Sequence, residues 1–271
     1  MDSLLPLALA TVVAGCSDPS DAPRPTPGTR YPTPSTSAGS RDTNMDAGVD
    51  SAVASVDGSL PGPEAGARDE VTLFDGTLTG WRMSTIRNQP GRNDPGHFSV
   101  EGGALVAYPG TDIGVLWSTQ PTPPNFVLDL EWRLSSADDN SGIFLRFPDL
   151  ETKGYDNTAW VAVHFGFEVQ INEPGYPDGA PEHTTGAIYG QPDQTFRRVV
   201  ANAPGEWNAY SIRVQGDEYT VRLNGHEVTR YVGRVPGRGS ASTKDAPAYI
   251  GLQTHTGNVA FRKIQLRPLV P

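Results

Sequence analysis

Short stretches of alternating apolar and polar residues follow one another from residue 71 to the end of the chain. Alternation with a period of two is typical of half-buried β-strands, because successive side chains of a strand point to opposite faces. β-branched and aromatic residues are frequent in these stretches, and Gly, Pro, Asn and Asp separate them. The pattern predicts strands at residues 71–74, 97–101, 104–108, 114–117, 126–134, 142–147, 161–172, 207–214, 219–223, 227–231, 248–254 and 259–266.

Turn sequences connect several of the predicted strands. Gln215-Gly216-Asp217 and Asn224-Gly225 supply residues that accept positive φ angles. Helical periodicity is not sustained anywhere, and no two parts of the chain repeat each other. The pattern therefore predicts an all-β fold, a two-sheet antiparallel β-sandwich of the jelly-roll type.

Four of the predicted strands carry polar residues on the face opposite their apolar face. A solvated outer face would give the same pattern, and this alternative stays open. Gln, Asn, His, Arg and Glu beside Phe and Gly are, however, more typical of a sugar-binding groove than of a plain wet surface. The residues on these faces are Asp129, Glu131 and Arg133; Phe144 and Arg146; Glu168, Gln170 and Asn172; and Gly251, Gln253 and His255.

The N-terminal part of the chain has a different composition. The apolar run Leu4–Ala14 is too short to span a bilayer but has the length of a signal-peptide hydrophobic region. It leads into Val13-Ala14-Gly15-Cys16, which resembles a bacterial lipobox, although Asp2 stands where a basic residue is usual. The alternative is an ordinary secretory signal with a chance cysteine. We expect lipidation at Cys16 and a location in the bacterial cell envelope.

Three segments follow from these observations. They are a lipoprotein signal peptide at residues 1–16, a Pro/Ser/Thr/Gly/Asp-rich linker at residues 17–68 and a β-sandwich domain at residues 69–271. The linker has almost no large apolar residues and is expected to be disordered. Cys16 is the only cysteine, so the domain must be stable without an internal disulfide.

Charge and motifs exclude several functional classes. The net charge is −10, and no basic stripe exists that would indicate a nucleic-acid partner. No P-loop, Rossmann fingerprint or nucleophile elbow is present, and His164, His183 and His255 lack zinc-type spacing. The sequence indicates no cofactor. Residues 137–142 are rich in oxygen ligands and could hold Ca²⁺ or another divalent cation, although turn formation explains the same residues.

Several longer motifs carry a family resemblance. They are FDGTLTGW (74–81), HFSVEGGALVA (97–107), FVLDLEWRLSSADDNSGIFLR (126–146), FEVQI (167–171), TGAIYG (185–190), PGEWNAYSI (204–212), VRLNGHEV (221–228) and YIGLQTHTGNVAFRKIQLRPL (249–269). In their order and spacing the chain resembles the 3-keto-disaccharide hydrolase domain family, which has a concanavalin-like jelly roll. The resemblance implies cleavage of glycosides that carry a ketone at carbon 3, and it suggests a functional link to a sugar 3-oxidoreductase.

This chemistry is compatible with a strand that has a single acid. Ordinary glycosidases need two carboxyl groups at the scissile bond, whereas Glu168 is followed on its face by Gln170 and Asn172. A ketone at carbon 3 acidifies the proton on carbon 2, so one base can remove it and the glycosidic oxygen leaves from carbon 1. Water then adds back. The reaction needs a base, donors to the enolate oxygen and an acid for the leaving group.

With the resemblance, these roles are assigned as hypotheses. Glu168 or His255 is the base, and Arg146, helped by Gln170, holds the oxygen that becomes an enolate. Glu131 is an alternative acid or orients Arg146. His183 is the proton donor at the rim. The expected substrate contacts are Gln170, Asn172, Gln253, Tyr189 and Phe144.

Each assignment has a structural alternative. Glu131 and Arg146 can form a structural ion pair, His183 can be an exposed loop residue, and His255 can be a hydrogen-bonding residue at the core edge. At the level of function, the alternative is a non-catalytic, lectin-like carbohydrate-binding lipoprotein, since a sandwich fold does not fix activity.

Overall fold

The structure, a computed structural model, describes residues 70–270. The expected signal peptide, the lipobox cysteine Cys16 and the linker at residues 17–68 lie outside the described residues and stay predictions. Among the described residues, none of the helices has the length and apolar character needed to cross a membrane.

The described chain forms fourteen strands and one short α-helix. The strands are β1 (Val71–Thr72), β2 (Trp81–Met83), β3 (His97–Glu101), β4 (Ala104–Tyr108), β5 (Gly114–Ser118), β6 (Phe126–Leu134), β7 (Ser141–Phe147), β8 (Phe167–Ile171), β9 (Thr195–Phe196), β10 (Asn208–Gln215), β11 (Glu218–Leu223), β12 (His226–Val232), β13 (Tyr249–Thr254) and β14 (Val259–Pro268). Helix α1 is Ala159–Phe165, and short 3-10 turns lie at Leu150–Thr152 and Pro181–His183.

The strands form two antiparallel sheets. The large sheet has the order β3-β4-β14-β6-β10-β11-β12-β9, with β1 paired to β14, and the small sheet has the order β2-β5-β13-β7-β8. This arrangement confirms the predicted all-β sandwich. The main core lies between the sheets, where residues such as Trp132 and Phe261 of the large sheet pack in one cluster with Leu145, Val169 and Ile250 of the small sheet.

The small sheet is buried on both faces. On its outer face, away from the main core, Val115, Trp117 and Phe144 pack in a second apolar cluster with Ala159 and Val161. Helix α1 therefore lies against this face. Polar side chains of the outer face consequently stand in a largely enclosed region, in contrast to the solvated outer face that the alternation alone left open.

The prediction of a continuous strand at residues 161–172 is wrong for its first half. Residues Ala159–Phe165 are helical, and the strand begins at Phe167. Asn157 fixes the chain just before the helix, because its Oδ1 accepts from the Ala159 amide at 3.0 Å while its Nδ2 donates to the Ile113 carbonyl at 2.9 Å. Periodicity alone does not separate so short a helix from a strand. The short strands β2 and β9 were also not predicted.

Candidate functional site

Glu168 lies in the middle of β8, which is paired on both sides. Strand β7 pairs along one side, with Phe144 opposite Glu168. On the other side, the Gln170 amide donates to Ala187 O and the Tyr189 amide donates to Glu168 O, both at 2.9 Å. Residues of the TGAIYG motif thus cover the edge of β8. The carboxyl group of Glu168 stands on the outer face of the small sheet, because its neighbours Phe167 and Val169 pack in the main core.

Gly142 forms the floor beneath the carboxyl group. It lies directly opposite Gln170 in the β7–β8 pair. A Cβ atom at Gly142 would lie 2.0 Å from Glu168 Oε1, so any larger residue would displace the carboxyl group. On the other side of β7, Leu252 of β13 pairs with Ile143, which brings Gln253 next to Gly142. Glu168, Gln170 and Gln253 therefore surround a glycine.

Several buried polar atoms in this region have no hydrogen-bond partner among the described residues. They are Oε1 of Glu168, Oε1 of Gln253, Oδ1 of Asn140, Nδ1 of His255 and Nδ2 of Asn172. Glu168 is 8% exposed and Gln253 is 5% exposed. Buried polar groups in folded proteins are nearly always hydrogen-bonded, and an unpaired one costs stability. Such a cluster on one face therefore indicates a binding site.

Two of the predicted site residues are held in their neutral forms by burial. Burial raises the pKa of Glu168 to about 8, and the charge of Arg238 opposes this rise only in part. Burial also lowers the pKa of His255, against the influence of Asp112. Both shifts come from loss of solvation of the charged form. A carboxyl group with so high a pKa is a strong base once it is deprotonated.

His183 and Tyr189 lie together at the Glu168 end of the site. Their rings are in contact at a tilt of 38°, with centroids 4.9 Å apart, and the Tyr189 amide donates to the Glu168 carbonyl. His183 Nδ1 contacts Asp178 Oδ1 at 2.7 Å. The histidine is thus oriented by a carboxylate on one side and by an aromatic ring on the other, and most of its side chain is buried, with 16% exposed.

The remaining predicted contact residues differ in their accessibility. Gln170 is buried, and its Oε1 accepts from the neighbouring Ile171 amide at 3.2 Å. Asn172 accepts from the Gly175 amide at 2.7 Å and so supports the loop that follows β8. Phe144 is 1% exposed and packs in the apolar cluster beside α1. Among these residues, Gln253 is the amide most clearly available to a ligand.

Arg146 does not join Glu168, which corrects the sequence expectation. Its φ angle is +54°, and the β13–β7 register shifts beside it, so the alternation of β7 reverses at this residue. Its guanidinium donates to the Gly216 carbonyl at 2.5 Å and to the carbonyl of Pro124, and it lies over the Tyr219 ring. Arg146 therefore ties backbone segments together on the other face of the small sheet.

Glu131 is also separate from Glu168. It lies on β6 in the large sheet, where Arg262 Nε and Lys263 Nζ contact its carboxylate at 2.6 and 2.7 Å. Its ion pairs are thus with β14, and not with Arg146. Strands β6 and β7 are consecutive in sequence but lie in different sheets. The sequence pattern does not reveal this separation.

The oxygen-rich run at residues 137–142 is mainly a turn. Asp139 Oδ2 accepts from the Ser135 amide and hydroxyl at 2.7 and 2.8 Å and from the Ser136 amide at 3.0 Å. Residues 70–270 contain no group of three or more His, Cys, Asp or Glu that could hold a metal ion. From this run, Asn140 alone contributes to the cluster of unpaired atoms.

The sequence indicates Asn140 and Gly142 only as part of the oxygen-rich run at residues 137–142, and not as neighbours of Glu168. Their contribution depends on which residues face them on β8 and β13, and local alternation does not define that register. A usable signal was the glycine itself, since a glycine inside a strand often marks a close approach of another group.

A family model described as a 3-keto-alpha-glucoside-1,2-lyase-like domain matches residues 69–267. A candidate glycosyl hydrolase from Parabacteroides distasonis ATCC 8503 is 26% identical, with a TM-score of 0.54 over 74% of this chain and 100% of that one.

A second solved structure of a candidate glycosyl hydrolase from the same organism is 19% identical, with a TM-score of 0.56 over 74% of this chain and 94% of that one. A Bacillus subtilis protein of unknown function with a galectin-like fold is 11% identical, with a TM-score of 0.51 over 74% and 94%. No curated protein matches the chain. The likeness of these structures agrees with the lectin-like sandwich, and the family model confirms the resemblance that the motifs indicated.

Proposed function

Because this chain belongs to the 3-keto-alpha-glucoside-1,2-lyase-like domain family, we propose that it cleaves glycosides whose carbon 3 carries a ketone. The family and the 26% identical relative, itself a candidate glycosyl hydrolase, support a glycoside hydrolase-like function. The observation that carries the finer proposal is the buried, unpaired carboxyl group of Glu168 on the outer face of the small sheet. The other unpaired atoms around it belong to amides and an imidazole.

In the proposed reaction, Glu168 is the base. Its carboxylate removes the proton from carbon 2, the electrons of that bond form the enolate of the carbon-3 ketone, and the glycosidic oxygen leaves from carbon 1. The high pKa that burial gives Glu168 makes its carboxylate a better proton acceptor than an exposed one. His255, neutral and with an unpaired Nδ1, is the alternative base.

The other steps use residues at the same end of the small sheet. His183, oriented by Asp178, donates a proton to the departing oxygen. The amide of Gln253 contacts the sugar. Water then adds to carbon 1 and a proton returns to carbon 2, which completes a net hydrolysis. A sugar 3-oxidoreductase must act upstream, since the substrate has to be oxidised before it is cleaved.

The test compares a 3-keto glucoside with its unoxidised parent. The protein should release the aglycone from the ketone alone, and Glu168→Gln should lower kcat/KM by about 10²–10⁴-fold, the usual contribution of a positioned base. Glu131→Gln, on the other sheet, serves as the matched control and should keep its activity. In deuterated water the product should carry deuterium at carbon 2.

Four outcomes would contradict the proposal or part of it. Full activity in Glu168→Gln would remove Glu168 as the base, and loss in His255→Gln alone would assign that role to His255. Absence of label at carbon 2 would exclude elimination followed by hydration. Binding of both sugars without cleavage of either would indicate the lectin-like alternative.

A further inference from the structure

Four of the five unpaired atoms in this region are of kinds that ligate cations, and the fifth, Nδ2 of Asn172, is a donor. Oε1 of Glu168, Oε1 of Gln253 and Oδ1 of Asn140 are oxygens, and Nδ1 of His255 is an imidazole nitrogen. Glu168, Gln253 and Asn140 are each at least nine-tenths buried. None of the four atoms has a hydrogen-bond partner within residues 70–270, so the cluster presents lone pairs, and Glu168 adds a negative charge when it is deprotonated.

Strand pairing brings these four residues to one place. The chain of Asn140 is bonded to that of Thr256 in both directions, at 2.9 and 3.1 Å, so Asn140 stands beside His255. The β7–β13 pairing likewise sets Gly142 beside Gln253, and Glu168 leans over Gly142. Alternation from the inward-facing Leu252 and Val169 directs Gln253 and Glu168 to the outer face. Asn140 and His255 lie just beyond the neighbouring ends of β7 and β13.

Two arginines that contact the small sheet or helix α1, Arg146 and Arg238, donate hydrogen bonds to backbone carbonyls. Arg146 donates to backbone carbonyls on the opposite face of the small sheet. Arg238 donates to the carbonyls of Val163 and Gly166 and lies over the Phe167 ring at 4.9 Å. The charge of Arg238 also acts on Glu168 and lowers its pKa against the effect of burial.

We infer that Glu168, Gln253, Asn140 and His255 bind one divalent cation of the Mn²⁺ class. Carboxylate and amide oxygens suit Mg²⁺, Ca²⁺ and Mn²⁺, and the imidazole nitrogen favours Mn²⁺ among these. A single carboxylate gives the site modest affinity. The cation site does not require the proposed function, but its catalytic role rests on it.

In that role, the cation polarises the carbon-3 carbonyl and neutralises the charge that develops on its oxygen. This is the electrophilic function that the sequence assigned to Arg146. Only Oε1 of Glu168 is fully buried without a partner, which leaves the second oxygen of the carboxylate to take the carbon-2 proton.

The test measures Mn²⁺ binding directly, without an activity assay. The full-length protein, first treated with EDTA and desalted, is titrated with MnCl₂ while the electron paramagnetic resonance signal of free Mn²⁺ is recorded. One equivalent of Mn²⁺ should disappear from the free signal. Glu168→Gln, Gln253→Ala and Asn140→Ala should each weaken binding at least tenfold, while Glu131→Gln should bind as the wild type does.

Circular dichroism of each variant verifies that it is folded, and three ligand variants keep the test informative if one of them is not. The site is overturned if no Mn²⁺ binds at ~1 mM, or if the folded ligand variants bind it as tightly as the wild type. Cleavage of the ketone without Mn²⁺ binding would overturn the site and leave the proposed function. Specific Mn²⁺ binding by a protein that does not cleave the ketone would support the site and overturn the proposed function.

Discussion

At the scale of single residues, Glu168 stands out because an acid occupies a strand whose other residues are fully buried. Its sequence neighbours Phe167 and Val169 fill the core between the sheets. The carboxyl group itself rests on the bare backbone of Gly142. A carboxyl group desolvated in this way is costly for folding unless it serves a function. The glycine is therefore as much a part of the site as the acid.

The Gly142→Ala variant tests whether activity depends on the position of the Glu168 carboxyl group. The new methyl group would displace the Glu168 carboxyl group, which is the end of a flexible side chain, so the stability loss should stay below ~1 kcal/mol. Activity on a 3-keto glycoside should fall about 10²-fold, because misplacement of a reacting group by about 1 Å has that effect.

Steady-state kinetics and urea unfolding of the Gly142→Ala variant give both numbers. As a control, Gly142→Ala combined with Glu168→Gln should be no less active than Glu168→Gln alone, since both changes act on one group. An additive loss would show that Gly142 acts by another route.

The pKa of Glu168 also predicts how stability depends on pH. Its folded value of about 8 lies above the ordinary 4.5, so the folded protein keeps a proton that the unfolded chain releases between these values. The free energy of unfolding should therefore fall as pH rises from about 4.5 to about 8, and the loss from this group should reach several kcal/mol at about 1.4 kcal/mol for each unit.

Urea unfolding of the wild type and of Glu168→Gln at pH 5 and at pH 8 measures this effect. The variant should lose less stability than the wild type over this interval. Subtracting the two curves cancels the contribution of His255, which both proteins retain. Equal losses in the two proteins would contradict the pKa of Glu168.

At the scale of elements, β7 carries two functions on its two faces. Gly142 and Phe144 lie on the outer face, and after the irregularity at Arg146 the side chain of Phe147 also joins the outer cluster. Arg146 itself points to the loops of the large sheet. Because the alternation reverses at Arg146, β7 presents Gly142 to the binding site and uses Arg146 as an internal brace, which is a side chain that joins separate backbone segments.

Arg146→Met should therefore damage stability and spare the chemistry. Arg146 is buried, and its replacement removes the hydrogen bonds to the part-buried Gly216 and Pro124 carbonyls and leaves the guanidinium site unfilled; we expect a loss of about 2–4 kcal/mol in the free energy of unfolding. Arg213→Met, at an exposed guanidinium, is the control and should change stability by less than ~1 kcal/mol. If kcat/KM per folded molecule fell as far as it does in Glu168→Gln, Arg146 would have to contact the substrate.

Individual elements show what the sequence does and does not define. Alternation in β6 and β8 correctly separates buried from polar positions, since Trp132 and Val169 pack in the core while Glu131 and Glu168 do not. The same alternation is wrong at Arg146, because one irregular residue reverses it. It is also wrong at Val161, which lies in helix α1 just after the turn that the Asn157 side chain makes with the Ala159 amide.

At the scale of the whole molecule, the fold class was predictable and the composition of the site was not. The sandwich follows from the periodicity of many strands, so single errors do not change it. The site depends on which strands are neighbours: β6 leaves for the large sheet and takes Glu131 with it, whereas β13 brings Gln253 and His255 to β7. These contacts are long-range, and the residues that make them are separated by more than a hundred positions.

The brace at Arg146 has a consequence for comparisons among relatives. A buried arginine that joins three chain segments should be retained during evolution whatever the protein binds, because its loss would weaken every version of the fold. Invariance of Arg146 would therefore carry little information about substrate. Changes at Gly142, Asn140 or Gln253 would instead indicate relatives that keep the fold but bind a different ligand.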